Sequence, residues 1–252
     1  AGTISEPAIA LSVTWMAFLN QVAGIPVDHV TQFVCFLIIL GLHGLLNAFN
    51  VNVVKLLTTV SAWWHLAGAA IIIGVLFFVP KHHQPLDWTF TAFVNNTGWA
   101  SPIYAVLIGL LMAQYTFTGF DASAHVAEET RNAAINAPKG IVNSVLVSLF
   151  AGWLLLIAVT SAIKDYDGAL GTELGLPPAQ IFIDAVGPTL GLFLLFICAV
   201  AQFFCGMACV TSSSRMSYAF SRDNALPGSR LWSQVNPRTG TPTNSIWLVV
   251  AC

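Results

Sequence analysis

Residues 185–214 read AVGPTLGLFLLFICAVAQFFCGMACVTSSS, thirty consecutive positions without an Asp, Glu, Lys or Arg. A bilayer hydrocarbon core about 30 Å thick is crossed by roughly 20 apolar residues in an α-helix. This stretch is long enough to cross and too apolar to face water, and the spacing predicts a helix over 187–220. Outward from it the same pattern recurs. Charge-free tracts predict further spans at 30–48, 56–79 and 141–163, and an apolar tract beginning near Ile103 predicts one at 103–127 that takes in Asp121. Partial spans are expected at 4–21, where Pro7, Asn20 and Pro26 weaken the signal, and at 243–252. The chain thus reads as a single all-α polytopic membrane domain over 1–252. Its ends fall in hydrophobic segments, so a fragment of a longer protein is expected.

Composition supports the same class. Of 252 residues, 56% are hydrophobic and 8% charged, where a soluble domain carries about 25% charged residues. The mean hydropathy is +0.77. A soluble protein with unusually buried helices does not account for five full apolar spans of this length. The net charge of −2 gives no electrostatic reason for a nucleic-acid partner; the expected surroundings are a lipid bilayer. Cys35, Cys198, Cys205, Cys209 and Cys252 all lie in apolar runs, where cysteine behaves as a small hydrophobe. No metal-ligand spacing surrounds Cys205 and Cys209, so no metal and no cofactor is expected.

Lys and Arg set the orientation, because cytoplasmic loops are enriched in them. With alternating helices, one set of loops holds Lys55, Arg131, Lys139, Arg222, Arg230 and Arg238, with Arg215 at its edge; the other holds Lys81 and Lys164. Seven against two places the loops 49–55, 128–140 and 221–242 in the cytoplasm. The loops 21–29, 80–102 and 164–186 then face outward, into the plasma-membrane exterior. A sequon at Asn95-Asn96-Thr97 lies on that outer side.

Polar groups inside spans are costly in hydrocarbon and mark a pathway or site by default. The densest group is Tyr115-Thr116-Phe117-Thr118-Gly119-Phe120-Asp121, continuing to His125. Gly119 weakens the helix there and Asp121 puts a carboxylate within the span. Two structures fit: a helix broken at Gly119, whose freed backbone lines a cavity, or a continuous helix with Gly119 at a packing contact. His65, in Trp63-Trp64-His65 near mid-span, titrates close to physiological pH and suits either proton coupling or a hydrogen bond to a neighbouring helix. Thr211-Ser212-Ser213-Ser214 carries hydroxyls that hold helices together or line an ion site. A membrane redox protein using His43, His65 and His125 is the rival of another class; the three sit on different predicted helices without an axial-pair pattern. A purely structural membrane subunit is the remaining rival.

Residues 115–140, YTFTGFDASAHVAEETRNAAINAPKG, resemble the sixth-helix region of amino acid–polyamine–organocation (APC) permeases, in particular the amino acid/choline branch that includes γ-aminobutyrate permeases. LHGLLNAF at 42–49, SAWWH at 61–65 and SSSRMSYAFSRDNALPGS at 212–229 agree in the same order. The resemblance implies a partial LeuT-like inverted-repeat transporter fold, from within helix 3 to early helix 9, without helices 1, 2 and 10. It implies secondary active transport of an amino acid or related small amine, with choline, polyamines and γ-aminobutyrate as alternatives, and no enzymatic activity. The carbonyls of Tyr115 to Thr118 would meet the substrate amino group, with Tyr115 or Phe117 as an aromatic gate. Asp121 would take part in coupling or gating. His65 would stand in for a sodium ion beside the helix-8 hydroxyls Ser212 and Ser213, making a proton the coupling ion and sodium the alternative.

Overall fold

The computed structural model describes residues 5–49 and 51–251, with the side chains of 5–10, 112, 113, 115 and 129 left out. The described residues fold entirely into helices joined by turns. In chain order these are α1 (Ser5–Ala23), α2 (His29–Phe49), α3 (Val51–Phe78), α4 (Leu86–Thr91), α5 (Pro102–Phe117), α6 (Ala122–His125), a 3-10 turn at Ala127–Glu129, α7 (Ala133–Ser161), α8 (Tyr166–Leu170), α9 (Pro177–Val186), α10 (Pro188–Arg222), α11 (Ser229–Trp232) and α12 (Thr243–Ala251). Four of them, α2, α3, α7 and α10, are long and apolar enough to cross a membrane.

Local chemistry explains the boundaries. Gly24 stops α1 in the left-handed region (φ +65°), its N–H closing back on the Asn20 carbonyl at 2.9 Å, a conformation that glycine adopts without steric cost. Asp28 then starts α2: its Oδ1 accepts the amides of Val30 and Thr31, each at 2.9 Å, and its Oδ2 accepts the Thr31 hydroxyl. The Thr31 amide and hydroxyl hold the Asp28 carboxyl below its ordinary pKa. Gly187 (φ +87°) and Pro188 open α10, proline being pre-shaped for the first helical position. The helix α3 starts at Val51, five residues before the expected span. Its first turn carries Lys55, exposed on the stem of a long side chain. Likewise α7 begins at Ala133, with Pro138 inside it.

The long helix α10 is the axis of the bundle and touches α1, α2, α3, α6, α9, α11 and α12. At 35 residues it is about 52 Å long, well beyond the bilayer core. Toward one end, Ile72 and Leu76 of α3, Ala158 of α7, Phe182 of α9 and Leu194 and Ile197 of α10 form the largest buried apolar cluster. Gly68 permits the close approach of α3 to α10: a Cβ there would lie 2.6 Å from the Ile197 side chain. Toward the other end, Val210, Ile246 and Val249 join α10 to α12.

The two sets of loops gather at opposite ends. At one end the Gln84 amide donates to the Ser161 carbonyl (2.7 Å), its side chain donates to Ile163 (2.8 Å), and the Lys164 ammonium donates to the Asp184 carbonyl. At the other, the Thr241 hydroxyl donates to Ala48 (3.1 Å) and Arg222 pairs with Glu128 (2.8 Å). The outer 164–186 connection is not plain loop; it contains α8 and α9, whose Ile181, Phe182 and Ala185 are buried against the bundle.

Candidate functional site

The expected span at 103–127 is divided in the structure. Helix α5 ends at Phe117, residues 118–121 form a turn, and four residues of α6 follow. The cause is local: Gly119 sits at φ +86°, outside the right-handed helical region. Beyond it the backbone re-closes in short turns. The Phe120 amide donates to Phe117 (3.2 Å), Ala122 to Gly119 (3.0 Å) and Ala124 to Asp121 (2.8 Å). A Cβ at Gly119 would meet no atom within 4 Å, so conformation rather than crowding calls for glycine.

The last four carbonyls of any α-helix lack intrahelical partners; here the Phe117 carbonyl accepts the Phe120 amide. The Thr118 hydroxyl reaches back to the Gln114 carbonyl at 3.4 Å. The side chain of Tyr115 lies outside the described residues. Thr116 is exposed, although its methyl would touch a Cβ on Gly152 of α7 at 3.2 Å. Phe117 and Asp121 are half-buried; Thr118, Gly119 and Phe120 are exposed. The structure therefore gathers Tyr115 to Asp121 at one break.

The post-break turn is clamped to α7. The Ser123 hydroxyl donates to the Ala137 carbonyl at 3.1 Å, and the Ser144 hydroxyl donates to Phe120 at 3.3 Å. Gly140 lets the two segments approach: a Cβ on it would lie 3.0 Å from the Ser123 side chain. The Arg222–Glu128 pair ties the following 3-10 turn to the end of α10.

Below the break, toward the Lys/Arg-rich end, a cleft of about 480 Å³ opens between α3, α6 and α10. Its wall includes Lys55, Thr58, Ser123, Thr130, Ser212 and Arg215. The Thr58 hydroxyl is committed to the Val54 carbonyl at 2.8 Å. Arg215 is buried, with Nη1 3.4 Å from the Ser214 hydroxyl. Lys55 and Arg215 are the charged side chains of the lining among the described residues.

His65 lies seven residues beyond Thr58, two turns further along the same face of α3. It is exposed, and its Nδ1–H donates to the Ser61 carbonyl at 2.7 Å, with the Ser61 hydroxyl at 3.3 Å. Ser212 lines the cleft; Ser213 is half-buried on α10. His43 is fully buried between α2 and α10, 4.6 Å from the Phe203 ring, with neither ring nitrogen hydrogen-bonded. Beside it, the Asn47 side chain donates to the carbonyls of His43 (2.9 Å) and Met207 (3.3 Å) and accepts the Thr211 hydroxyl (2.6 Å). Thr211 thus fastens α10 to α2. Among the described residues no three His, Cys, Asp or Glu side chains group to hold a metal.

Sequence reasoning did not pair Asp121 with His125, Glu128 with Arg222, or Asn47 with Thr211. The first was detectable, since four residues is one helical turn. The other two join positions 94 and 164 residues apart, and no local pattern announces them.

A bundle of membrane-length helices packed on α10, with a further helix broken at a polar turn, defines a polytopic membrane protein of the transporter class. Residues 5–252 match the family described as amino acid permease. The chain belongs to this family, and its fold is a partial LeuT-like arrangement of the APC superfamily. It is 40% identical over 220 residues to the amino-acid permease BAT1 of Arabidopsis thaliana, covering 83% of this chain and 42% of that protein. It is 32% identical over 243 residues to a choline transporter of Saccharomyces cerevisiae, covering 94% of this chain and 42% of that protein. With a GABA-specific permease of the same yeast it shares 32% identity over 167 residues, 66% of this chain and 29% of that protein. The chain spans about half or less of the length of these relatives.

Proposed function

We propose that this chain is the central part of a secondary active transporter that moves an amino acid or a related small amine across the plasma membrane by alternating access, with a proton as coupling ion. The break at Gly119 carries the reading. The C-terminal end of α5 points its carbonyls into the turn, and a helix C-terminus behaves as a partial negative charge. An ammonium group is the natural partner of such an end, and broken helices in membranes serve ligands in this way. In this reading Tyr115 to Thr118 would supply these carbonyls, with Tyr115 or Phe117 as the aromatic gate. The names of the relatives, which include amino acids, choline and γ-aminobutyrate, support the same range of amine solutes.

His65 is the proposed coupling residue, with Ser212 and Ser213 on α10 as the hydroxyls of the ion path. The deciding experiment is an uptake screen of the intact parent protein in a transport-deficient host against amino acids, γ-aminobutyrate, choline and polyamines. Each is measured with imposed proton and sodium gradients. Accumulation of one class driven by the proton gradient, lost in His65→Gln, is the expected result. A strict sodium requirement refutes proton coupling, and no uptake of any class refutes the transport reading.

A further inference from the structure

The post-break turn holds an ionisable pair, Asp121 and His125, of which the transport reading leaves His125 unassigned. Asp121 occupies the residue just before α6, where an aspartate ordinarily accepts a hydrogen bond from the second or third helical amide. Here the carboxylate makes no such bond. Its Oδ2 lies 3.2 Å from Nε2 of His125, one turn further on, and accepts a hydrogen bond from it. The turn is closed without that carboxylate, because the backbone bonds Ala122 to Gly119 and Ala124 to Asp121 already shape it. Asp121 has therefore given up a structural task at the break for a contact with a titratable ring. The two side chains are 49% and 28% exposed, Asp121 and His125 respectively, open enough for proton exchange and close enough to bond.

We propose that His125 is a positioning residue for the Asp121 carboxylate, and that the two act as one proton-sharing unit beside the helix break. The proposal rests on the transport reading above. Imidazole changes charge between about pH 5 and 8. A proton taken from solution onto the ring leaves the pair formally neutral; its return to solution leaves the pair with one negative charge two residues from Gly119. The other ionisable groups on this connection and on the elements packed against it are Glu128, Glu129, Arg131, Lys139 of α7, and Arg215 and Arg222 of α10. Glu128 and Arg222 are engaged with each other. Arg215 is buried along the cleft, and Arg131 and Lys139 are exposed.

The test uses the intact parent protein with His125→Gln, which keeps a hydrogen-bond donor without titration, and His125→Leu, which removes both. Two quantities are read against pH: substrate uptake, and modification of Asp121 by a hydrophobic carbodiimide, which reacts with the protonated acid and is located by peptide mass. In both variants the pH dependence of modification should differ from that of the parent. The uptake profile should move with it. Unchanged modification and uptake profiles in both variants overturn the proposal. The modification needs no transport, so a parent that takes up none of the solutes sinks the transport reading while the labelling still decides the pairing.

Discussion

Substituting Gly119 separates conformation from crowding as the reason for the break. The residue sits at φ +86° with open space around its Cα. An L-residue forced into the left-handed region loses about 1–2 kcal/mol, and strained backbone at functional sites about 1–3 kcal/mol. A penalty of 1–3 kcal/mol corresponds to about a 5- to 150-fold fall in the population of the broken form. In the intact parent, Gly119→Ala is expected to lower the ratio of maximal uptake rate to half-saturating concentration by that range, with surface expression maintained. Because no atom lies within 4 Å of the added Cβ, Gly119→Leu should cost little more than alanine. Asparagine, which tolerates positive φ better than other side chains, should retain more activity than either. The assay is initial-rate uptake of radiolabelled substrate, normalised to protein at the cell surface. Wild-type kinetics in Gly119→Ala would refute the reasoning, and so would an order in which leucine is crippled while alanine is unaffected.

Other expectations follow from single contacts. Cysteines introduced at Asn96 and Gly171 of the intact parent should label from outside, while those at Asn136 and Gln234 should be protected; reversed labelling refutes the seven-to-two charge orientation. Gly206→Ala puts a Cβ 2.5 Å from His43 Cε1, an overpacking that costs about 1–3 kcal/mol. It should lower the melting temperature in detergent, and His43→Ala in the same chain should restore most of the loss. Asp28 has a depressed folded-state pKa, so its cap on α2 is fully present above the unfolded value of 3.8 and is lost as pH falls through the lower folded value. Amide exchange at Val30 and Thr31, corrected for intrinsic pH dependence, should accelerate below about pH 4, and Asp28→Ala should remove that dependence.

The helical spans were legible because hydrocarbon imposes a one-dimensional code. A run such as 185–214 declares its length and apolarity without reference to any partner. Gly119 and Asp121 were legible as a weak point, but the sequence left a broken and a continuous helix equally open, since glycine serves both packing and turns. Only the backbone angle separates the two. The helix α9 was hidden in what read as an outer loop, although Pro177-Pro178 followed by Ile181, Phe182 and Ala185 carries a helix start and an apolar face. The early starts of α3 and α7 were obscured by Lys55, Pro138 and Lys139, which mark the limit of the hydrocarbon rather than the limit of the helix. His65 illustrates the opposite difficulty: its type and place in the span were plain, but the structure leaves it exposed and bonded to Ser61 one turn back on its own helix.

The two serine hydroxyls that hold the post-break turn against α7 make that turn a passenger. Four helical residues complete barely one turn and do not sustain themselves, because helix nucleation is unfavourable. Their shape is borrowed from Ala137, Gly140 and Ser144. Any tilt of α7 therefore carries Phe120 to Ser123 along with it through hydrogen bonds, whereas α5 meets α7 only through packing such as Thr116 against Gly152. Substitutions along that stripe of α7, remote from any solute, should then alter which solutes are accepted as readily as substitutions at the break itself.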